Sequence, residues 1–451
     1  MSQSTRVAAA PGVVGAAALP RNPDLHGATA PAAAPGRFGA LTASARRGLA
    51  GTPGRMRVVA ALAVVVTLAF GLGAGQAFRS ASGALERARA NTQQVVRVQE
   101  IHSYLSSANA IATNAFLVGG LEPVEQRKRY DDAINTAAAG IVTAAQAQPA
   151  DAAALEALNA ELIAYANGVE QARADNRQAL PVGATYLSSA SDDLEARAIP
   201  LLNAVVTANS ERAQTEFAAA KRAVIWLVLP GVLALGVLAG AMVWLARRTH
   251  RYVNLPLAGA AVAVLVGLAA GWLVLASIST RVDQVQSGPY ATALATAQAR
   301  VSAFDAKADE SLTLIKRGSG ATLEKEWQKA SDETRAQIER ATKGSAGDLG
   351  WSSYVRAHQA LRALDDGGSW ERAVTAATSR TSTLPASTRA PFEAFDGVSG
   401  DLLTGARAEA SARLSAPSGW LALAGALGLL LGLLAAALSW WGFSQRLEEY
   451  R

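Results

Sequence analysis

Cysteine is absent from this chain of 451 residues, and histidine occurs only four times. Without cysteine the protein has no structural disulfide, so its domains must be held together by packing. No metal-ligand spacing and no glycine-rich phosphate-binding loop occurs. We therefore predict no metal site, no cofactor, no catalytic residue and no enzymatic activity. The histidines, which are scattered along the chain, are His26, His102, His250 and His358.

Charge is also missing from four long stretches of the sequence, each at least 21 residues in length. Each stretch reaches the roughly 20 apolar residues that a helix needs to cross the core of a bilayer. Tryptophan, which prefers the membrane interface, lies near several of their ends. The predicted transmembrane helices are residues 57–78, 223–246, 255–278 and 418–443.

The distribution of arginine predicts how these helices are oriented, because short loops rich in Lys and Arg stay on the cytoplasmic side. Residues 1–56 carry six arginines against one acid, and residues 247–254 carry Arg247, Arg248 and Arg251 with no acid. The two long segments between spans are balanced, with 13 basic and 16 acidic residues in the first and 17 of each in the second. We therefore predict a multi-pass plasma-membrane protein with both termini in the cytoplasm. Because the basic excess is juxtamembrane, it favours contact with membrane lipids and not with nucleic acid.

Both long segments, residues 79–222 and 279–417, show apolar side chains at alternating steps of three and four, as in helices that pack along one seam. No stretch alternates with a period of two, so a sheet is not expected. Glycine and proline divide each segment into pieces that fit four antiparallel helices. The seam residues are Val98, Ile101, Leu105, Ala108, Ala112 and Ala115, then Leu155, Leu158, Leu162, Tyr165, Val169 and Ala172, and in the second segment Ala297, Val301, Phe304, Ala308, Ser311 and Ile315.

Together these features predict an all-α membrane protein with four transmembrane helices and two extracytoplasmic four-helix bundles arranged as a tandem duplication. The duplication is indicated mainly by the repeated order of span, long segment and span. The residues before the first span, rich in Pro, Ala and Gly, bury too little apolar surface to fold. The remaining boundaries are 1–56 for a disordered basic cytoplasmic tail, 79–222 and 279–417 for the two bundles, 247–254 for a basic cytoplasmic loop and 444–451 for a short cytoplasmic tail.

Glycines four residues apart occur in all four predicted spans, and such pairs let helix backbones approach closely. We therefore predict that the spans pack against one another. Apart from Arg57 at the end of the first, no span carries a charge, whereas a transporter usually places ionisable groups within its spans. The candidate packing residues are Gly71 and Gly75, Gly236 and Gly240, Gly267 and Gly271, and Gly428 and Gly432.

One run of sequence carries a resemblance to a known family. Residues 176–191, Asn-Arg-Gln-Ala-Leu-Pro-Val-Gly-Ala-Thr-Tyr-Leu-Ser-Ser-Ala-Ser, are followed by Ile199, Pro200 and a charged helix that leads into the second span. This arrangement resembles actinobacterial GlnX-type membrane proteins, and the basic loop and the duplicated segments fit the same pattern over residues 55–451. The resemblance implies that the protein works between a periplasmic amino-acid-binding lipoprotein and a cytosolic serine/threonine kinase of the protein kinase G type.

The function that fits this organisation is a non-enzymatic transmembrane sensor or signal relay. The amino-acid signal and the kinase enter only through the resemblance. Arg247, Arg248 and Arg251 are the candidate cytoplasmic coupling residues, and the alternative that they only set the topology stays open. Two other functions stay open as well: a structural anchor or scaffold of the cell envelope, and an accessory subunit of a transporter.

Overall fold

The computed structural model describes residues 52–118, 122–249, 254–317, 320–344, 347–379, 385–415 and 418–448. Helix accounts for nearly all of these residues, and no strand occurs among them. The prediction of an all-α chain is therefore confirmed for the described part. The predicted tail, residues 1–56, lies almost entirely outside it.

The first half of the described chain contains six helices. Pro123 and Pro181 precede the second and fourth of them, as expected for a residue that cannot continue a preceding helix. A 3₁₀ turn at Pro149–Asp151 joins the second helix to the third, and a π turn at Leu194–Ala198 joins the fourth to the fifth. The helices are α1 (Thr52–Val118), α2 (Val124–Ala147), α3 (Ala152–Arg177), α4 (Val182–Asp193), α5 (Ile199–Arg222) and α6 (Val224–Thr249).

The described residues of the second half form seven helices. Gly288 separates the first two of them, and Gly368, with a φ of +77°, follows the fourth in a conformation that favours glycine. The part between the spans therefore contains five helices where four were predicted, because the breaks at Gly368 and near Pro385 isolate a short one. The helices are α7 (Leu255–Ser287), α8 (Pro289–Ile315), α9 (Ala321–Thr342), α10 (Trp351–Asp366), α11 (Trp370–Thr378), α12 (Arg389–Ser415) and α13 (Ser418–Glu448).

Among the described residues, four helical stretches are long and apolar enough to cross a membrane, and they include α1, α6, α7 and α13. This finding confirms the predicted number of spans. The first of them continues without interruption into the first segment, since α1 runs for 67 residues, or about 100 Å at 1.5 Å per residue.

The first segment, residues 79–222, packs α1 to α5 around one hydrophobic cluster. Every predicted seam residue of α1 and α3 is buried, among them Ile101, Leu105 and Leu162. Gly183 at the start of α4 lies so close to α3 that a Cβ atom there would be 2.9 Å from the carbonyl oxygen of Ala172. The helical periodicity of the sequence therefore identified the inward faces of these helices.

Candidate signalling interface

Helix α1 contributes side chains to the cores of both segments. Val98 and Leu105 belong to the cluster of the first segment. Val96, Ala110 and Leu117, on other faces of the same helix, belong to clusters formed with helices of the second segment, residues 279–417. The two segments therefore share a packed interface along α1, which the prediction of two four-helix bundles did not include.

Polar contacts accompany this apolar interface over most of its length. Asn114, which is buried, donates to a backbone carbonyl of α11 and so has its buried amide satisfied by the other segment. The more exposed ion pairs add little stability but fix the register of the two segments. The contacts are Gln93 Nε2 to Ser411 Oγ at 3.0 Å, Arg407 to Glu100 at 2.5 Å, Arg129 to Glu393 at 3.0 Å and Asn114 Nδ2 to the Ala377 carbonyl at 3.2 Å.

A cleft of about 280 Å³ opens within this interface and is called here the intersegment cleft. Helices α1 and α2 of the first segment line one side, with Ile111 and Arg129. Helices α8 and α12 of the second segment line the other, with Phe304, Lys307 and Phe392. The cleft therefore combines an apolar wall with cationic side chains, and both segments contribute to it.

A network of buried charges lies directly behind the cleft. Glu310 is at its centre and is almost fully buried. Its Oε1 atom accepts hydrogen bonds from Lys307 Nζ and from Thr388 Oγ1, and its Oε2 atom lies 2.9 Å from His358 Nδ1. The other ring nitrogen of His358 lies 3.4 Å from Glu324 Oε2. Burying charge is costly unless the charge is paired and hydrogen-bonded, and here every ionic member has such a partner.

The imidazole of His358 is enclosed by aromatic rings as well as by carboxylates. The indole of Trp327 stacks on it, with ring centroids 3.6 Å apart. Burial alone would lower the pKa of His358, but hydrogen bonds to Glu310 and Glu324 outweigh it and raise that pKa above its usual value. The protonated imidazole is therefore the form that this structure stabilises.

Two of the candidate packing glycines, Gly71 and Gly432, lie close together where α1 crosses α13. A Cβ atom on Gly432 would lie 2.4 Å from the Cα atom of Gly71, so only glycine fits at position 432, and a Cβ atom on Gly71 would lie 3.0 Å from the Cα atom of Gly432. One turn further along, a Cβ atom on Gly428 would lie 2.7 Å from the Cβ atom of Ala74. Gly75 lies beside the same helix with more space, since its nearest α13 atom would be 3.8 Å away.

The contact between α1 and α6 depends on a glycine outside the predicted pairs. A Cβ atom on Gly73 would lie 2.5 Å from the carbonyl oxygen of Trp226 and 2.9 Å from the ring of Pro230. Pro230 has no N–H, so the carbonyl four residues earlier, that of Trp226, loses its helical hydrogen-bond donor. The backbone of Gly73 therefore packs against the Trp226 carbonyl, which lacks its usual donor within α6. This arrangement suits a weak Cα–H···O contact from Gly73 to that carbonyl.

The remaining predicted glycines divide into two groups. Gly267 and Gly271 of α7 make room for large side chains, since Cβ atoms there would lie 3.0 Å from Phe70 and 2.8 Å from Leu227. For Gly236 and Gly240 of α6, a Cβ atom would meet no heavy atom within 4 Å in the described part of the chain. The structure therefore does not place these two at a helix contact within the chain, because α6 turns them away from its neighbours.

The predicted coupling residues lie at the end of α6. Arg247 and Arg248 occupy its last turn and are exposed, and the guanidinium of Arg248 lies 5.8 Å from the ring centroid of Trp244. Arg251 lies outside the described residues. The structure thus places two of the three arginines on the exposed end of a span.

Sequence reasoning missed the residues of the buried network. Lys307 and Glu310 lie beside the predicted seam of α8, on a face that a single amphipathic helix would leave in water. That face is buried because α8 is surrounded by α1, α9, α10 and α12, so nearly the whole helix is enclosed from Ala303 to Leu314. The available signal was the alanine content of α8, which indicates close helix packing on several sides.

Comparison with known proteins gives one match. Residues 84–218, which lie within the first segment, match the family model described as an actinobacterial sensor domain. No curated protein and no solved structure matches the chain significantly. The match supports an actinobacterial sensor protein, and with the four long apolar helices it supports a multi-pass membrane protein with a sensor role.

Proposed function

We propose that this chain is a non-enzymatic transmembrane signal relay. Its two long segments lie outside the plasma membrane as helical bundles related by tandem duplication, and both termini lie in the cytoplasm. The observation that carries the proposal is helix α1, which forms part of the membrane bundle, the first segment and the interface with the second segment without a break. A shift of about 1 to 2 Å at the interface would therefore reach the inner end of the same helix.

The external signal is proposed to be a ligand-loaded amino-acid-binding lipoprotein, and the internal partner a serine/threonine kinase of the protein kinase G type. The resemblance of residues 176–191 to GlnX-type proteins supports these partners, and the sensor-domain match over residues 84–218 supports the sensing role. The proposed inward contact consists of three arginines next to the connection between the two central spans. Arg247 and Arg248 lie in the last turn of α6, and Arg251 follows in the sequence.

The absence of cysteine makes the relay directly testable. Replacing Gln93 and Ser411 by cysteine and joining them with a short crosslinker locks α1 to α12, because the native side chains are already hydrogen-bonded at 3.0 Å. Spin labels attached through p-acetylphenylalanine at the positions of Arg57 and Arg247 then report the distance between the inner ends of α1 and α6. We expect the lock to shift or narrow this distance distribution.

The matched control is a lock within the first segment alone. Asn91 and Gln148 are hydrogen-bonded at 2.9 Å, and Asn91 lies only two residues from the first locking position. A relay predicts a change for the intersegment lock and a smaller change for this control. If both locks leave the inner distance unaltered, the chain behaves as a rigid anchor and the relay is rejected.

A further inference from the structure

We propose that the intersegment cleft is a binding site for a small organic anion that carries an apolar or aromatic group. This inference rests on the proposed relay and names the chemistry of one ligand that would act on it. The cleft is built by both segments, so a molecule bound there contacts α2 on one side and α8 and α12 on the other. A bound ligand would therefore act on the interface that α1 shares.

The cleft has a cationic donor that the protein itself does not satisfy. Arg129 uses one terminal nitrogen to donate to Glu393 Oε1, but its Nε atom is buried and has no hydrogen-bond partner among the described residues. A buried donor without a partner costs free energy, and a carboxylate can accept from two nitrogens of one guanidinium. Because the Arg129 side chain is 37% exposed, an anionic ligand can reach this guanidinium and accept from it.

The acidic residues of the cleft argue against a cationic ligand, because each already has a basic partner. Glu393 accepts from Arg389 at 2.9 Å as well as from Arg129. Asp396 Oδ1 has no aligned hydrogen-bond donor among the described residues, but Arg300 lies 2.6 Å from it and neutralises its charge, and Asp132 pairs with Lys128 at 3.3 Å. A ligand ammonium would have to displace one of these partners, whereas a ligand carboxylate finds a donor ready.

The opposite wall of the cleft determines which chemical groups suit the rest of the ligand. The rings of Phe304 and Phe392 meet edge to face with centroids 5.3 Å apart, and Ile111 faces them from α1. Such a wall favours apolar or aromatic groups. The volume of about 280 Å³ lies at the lower end of small-molecule sites, which excludes a folded peptide and favours a small metabolite.

The site can be tested by equilibrium binding to the full-length protein in lipid nanodiscs. Phenylacetate and 3-phenylpropionate are the probes, 2-phenylacetamide is the neutral isostere and benzylamine is the cation. We expect saturable binding of at least one carboxylate and about tenfold weaker binding, or none, of the amide and the amine. Lack of saturable binding by both carboxylates, or equal binding of 2-phenylacetamide, would overturn the proposal.

Substitutions inside and outside the cleft test whether the carboxylate binds there. Arg129→Gln removes the proposed donor, and Ser107→Leu fills the cleft without touching an ion pair, so each should weaken carboxylate binding about tenfold or more. Arg127→Gln is the control, because Arg127 lies on the same helix but lines a separate cavity of about 220 Å³. Equal losses for Arg127→Gln, or no loss for Arg129→Gln and Ser107→Leu, would also overturn the site. The crosslinking test of the relay uses no ligand, so the two proposals can fail independently.

Discussion

At the scale of single residues, the buried network of the second segment is the most demanding feature of the chain. Glu310 is shielded from water, and each of its oxygens is satisfied by a neighbouring side chain. Removing one partner from such a group leaves a buried charge unpaired, which costs more than the contact itself contributes. His358 is the member of this network whose ordinary pKa lies nearest to neutral, and the fold raises that pKa above its usual value.

Replacing His358 by glutamine should therefore have an effect that depends on pH. Because the folded protein raises the pKa of His358, protonation stabilises the fold below the unfolded pKa of about 6.5, and this contribution is lost as pH rises through the folded pKa. The difference in unfolding free energy between wild type and variant should be largest in mild acid and should shrink at alkaline pH. Denaturant unfolding of the detergent-solubilised protein at several pH values measures it.

Wild type and the His358 variant both retain the other titratable groups of the network. The difference between their unfolding free energies therefore reports on His358. Arg356→Gln is a suitable control, because Arg356 is exposed on the same helix and touches only serine hydroxyls among its described partners. A difference that stays constant between mild acid and alkali would show that the fold does not shift the pKa of His358. A difference that grows toward alkali would show that the fold favours the neutral imidazole.

At the scale of elements, α1 is the helix around which the rest of the chain is arranged. Its small residues lie where other helices approach: Gly71 at α13, Gly73 at α6 and Ala110 at the second segment. Without a hydrophobic driving force between helices in lipid, such close contacts are a main source of association. The spacing of glycines indicated that the spans pack, but it could not indicate the partner of each glycine.

Gly73 and Gly236 provide a matched pair for testing this contact. Gly73→Ala places a methyl group 2.5 Å from a backbone carbonyl of α6, so one helix must move, and we expect a loss of about 1 to 3 kcal/mol. Gly236→Ala meets no atom within 4 Å and should leave stability almost unchanged. Thermal unfolding in one detergent measures both, and a similar melting temperature for the two variants would contradict the close approach of α1 to α6.

The sequence predicted much of this architecture and missed its interface for a physical reason. The periodicity of a single helix indicates which of its faces is buried, as in the seam from Leu155 to Ala172. The charge-free stretches indicate the membrane spans in the same local way. The enclosed faces of α1 and α8 depend on a partner far away in the chain, and no local pattern encodes it. Lys307 and Glu310 illustrate the limit, since two charged residues three apart are normally a solvated pair.

At the scale of the whole molecule, a relay must end on a surface that a cytosolic partner can reach. The connection between α6 and α7 joins the span that follows the first segment to the span that precedes the second. A displacement of one segment relative to the other would therefore move the two ends of this connection. At the α7 end of this connection, Asn254 caps α7 and also donates to the carbonyl of Gly442 in α13 at 2.9 Å. The basic connection therefore links three of the four spans.

Lysine replacement separates docking from topology at this connection. Orientation and attraction to lipid need only positive charge, whereas a bidentate contact with a carboxylate needs the guanidinium fork of arginine. We expect Arg248→Lys with Arg251→Lys to leave expression and orientation unchanged and to reduce crosslinked recovery of a cytosolic kinase from native membranes. Arg55→Lys with Arg57→Lys, near the N-terminal end of α1, is the control of equal charge. Undiminished recovery in the first variant would assign the arginines of this connection to topology alone, and the inward contact would have to be sought on another surface of the chain.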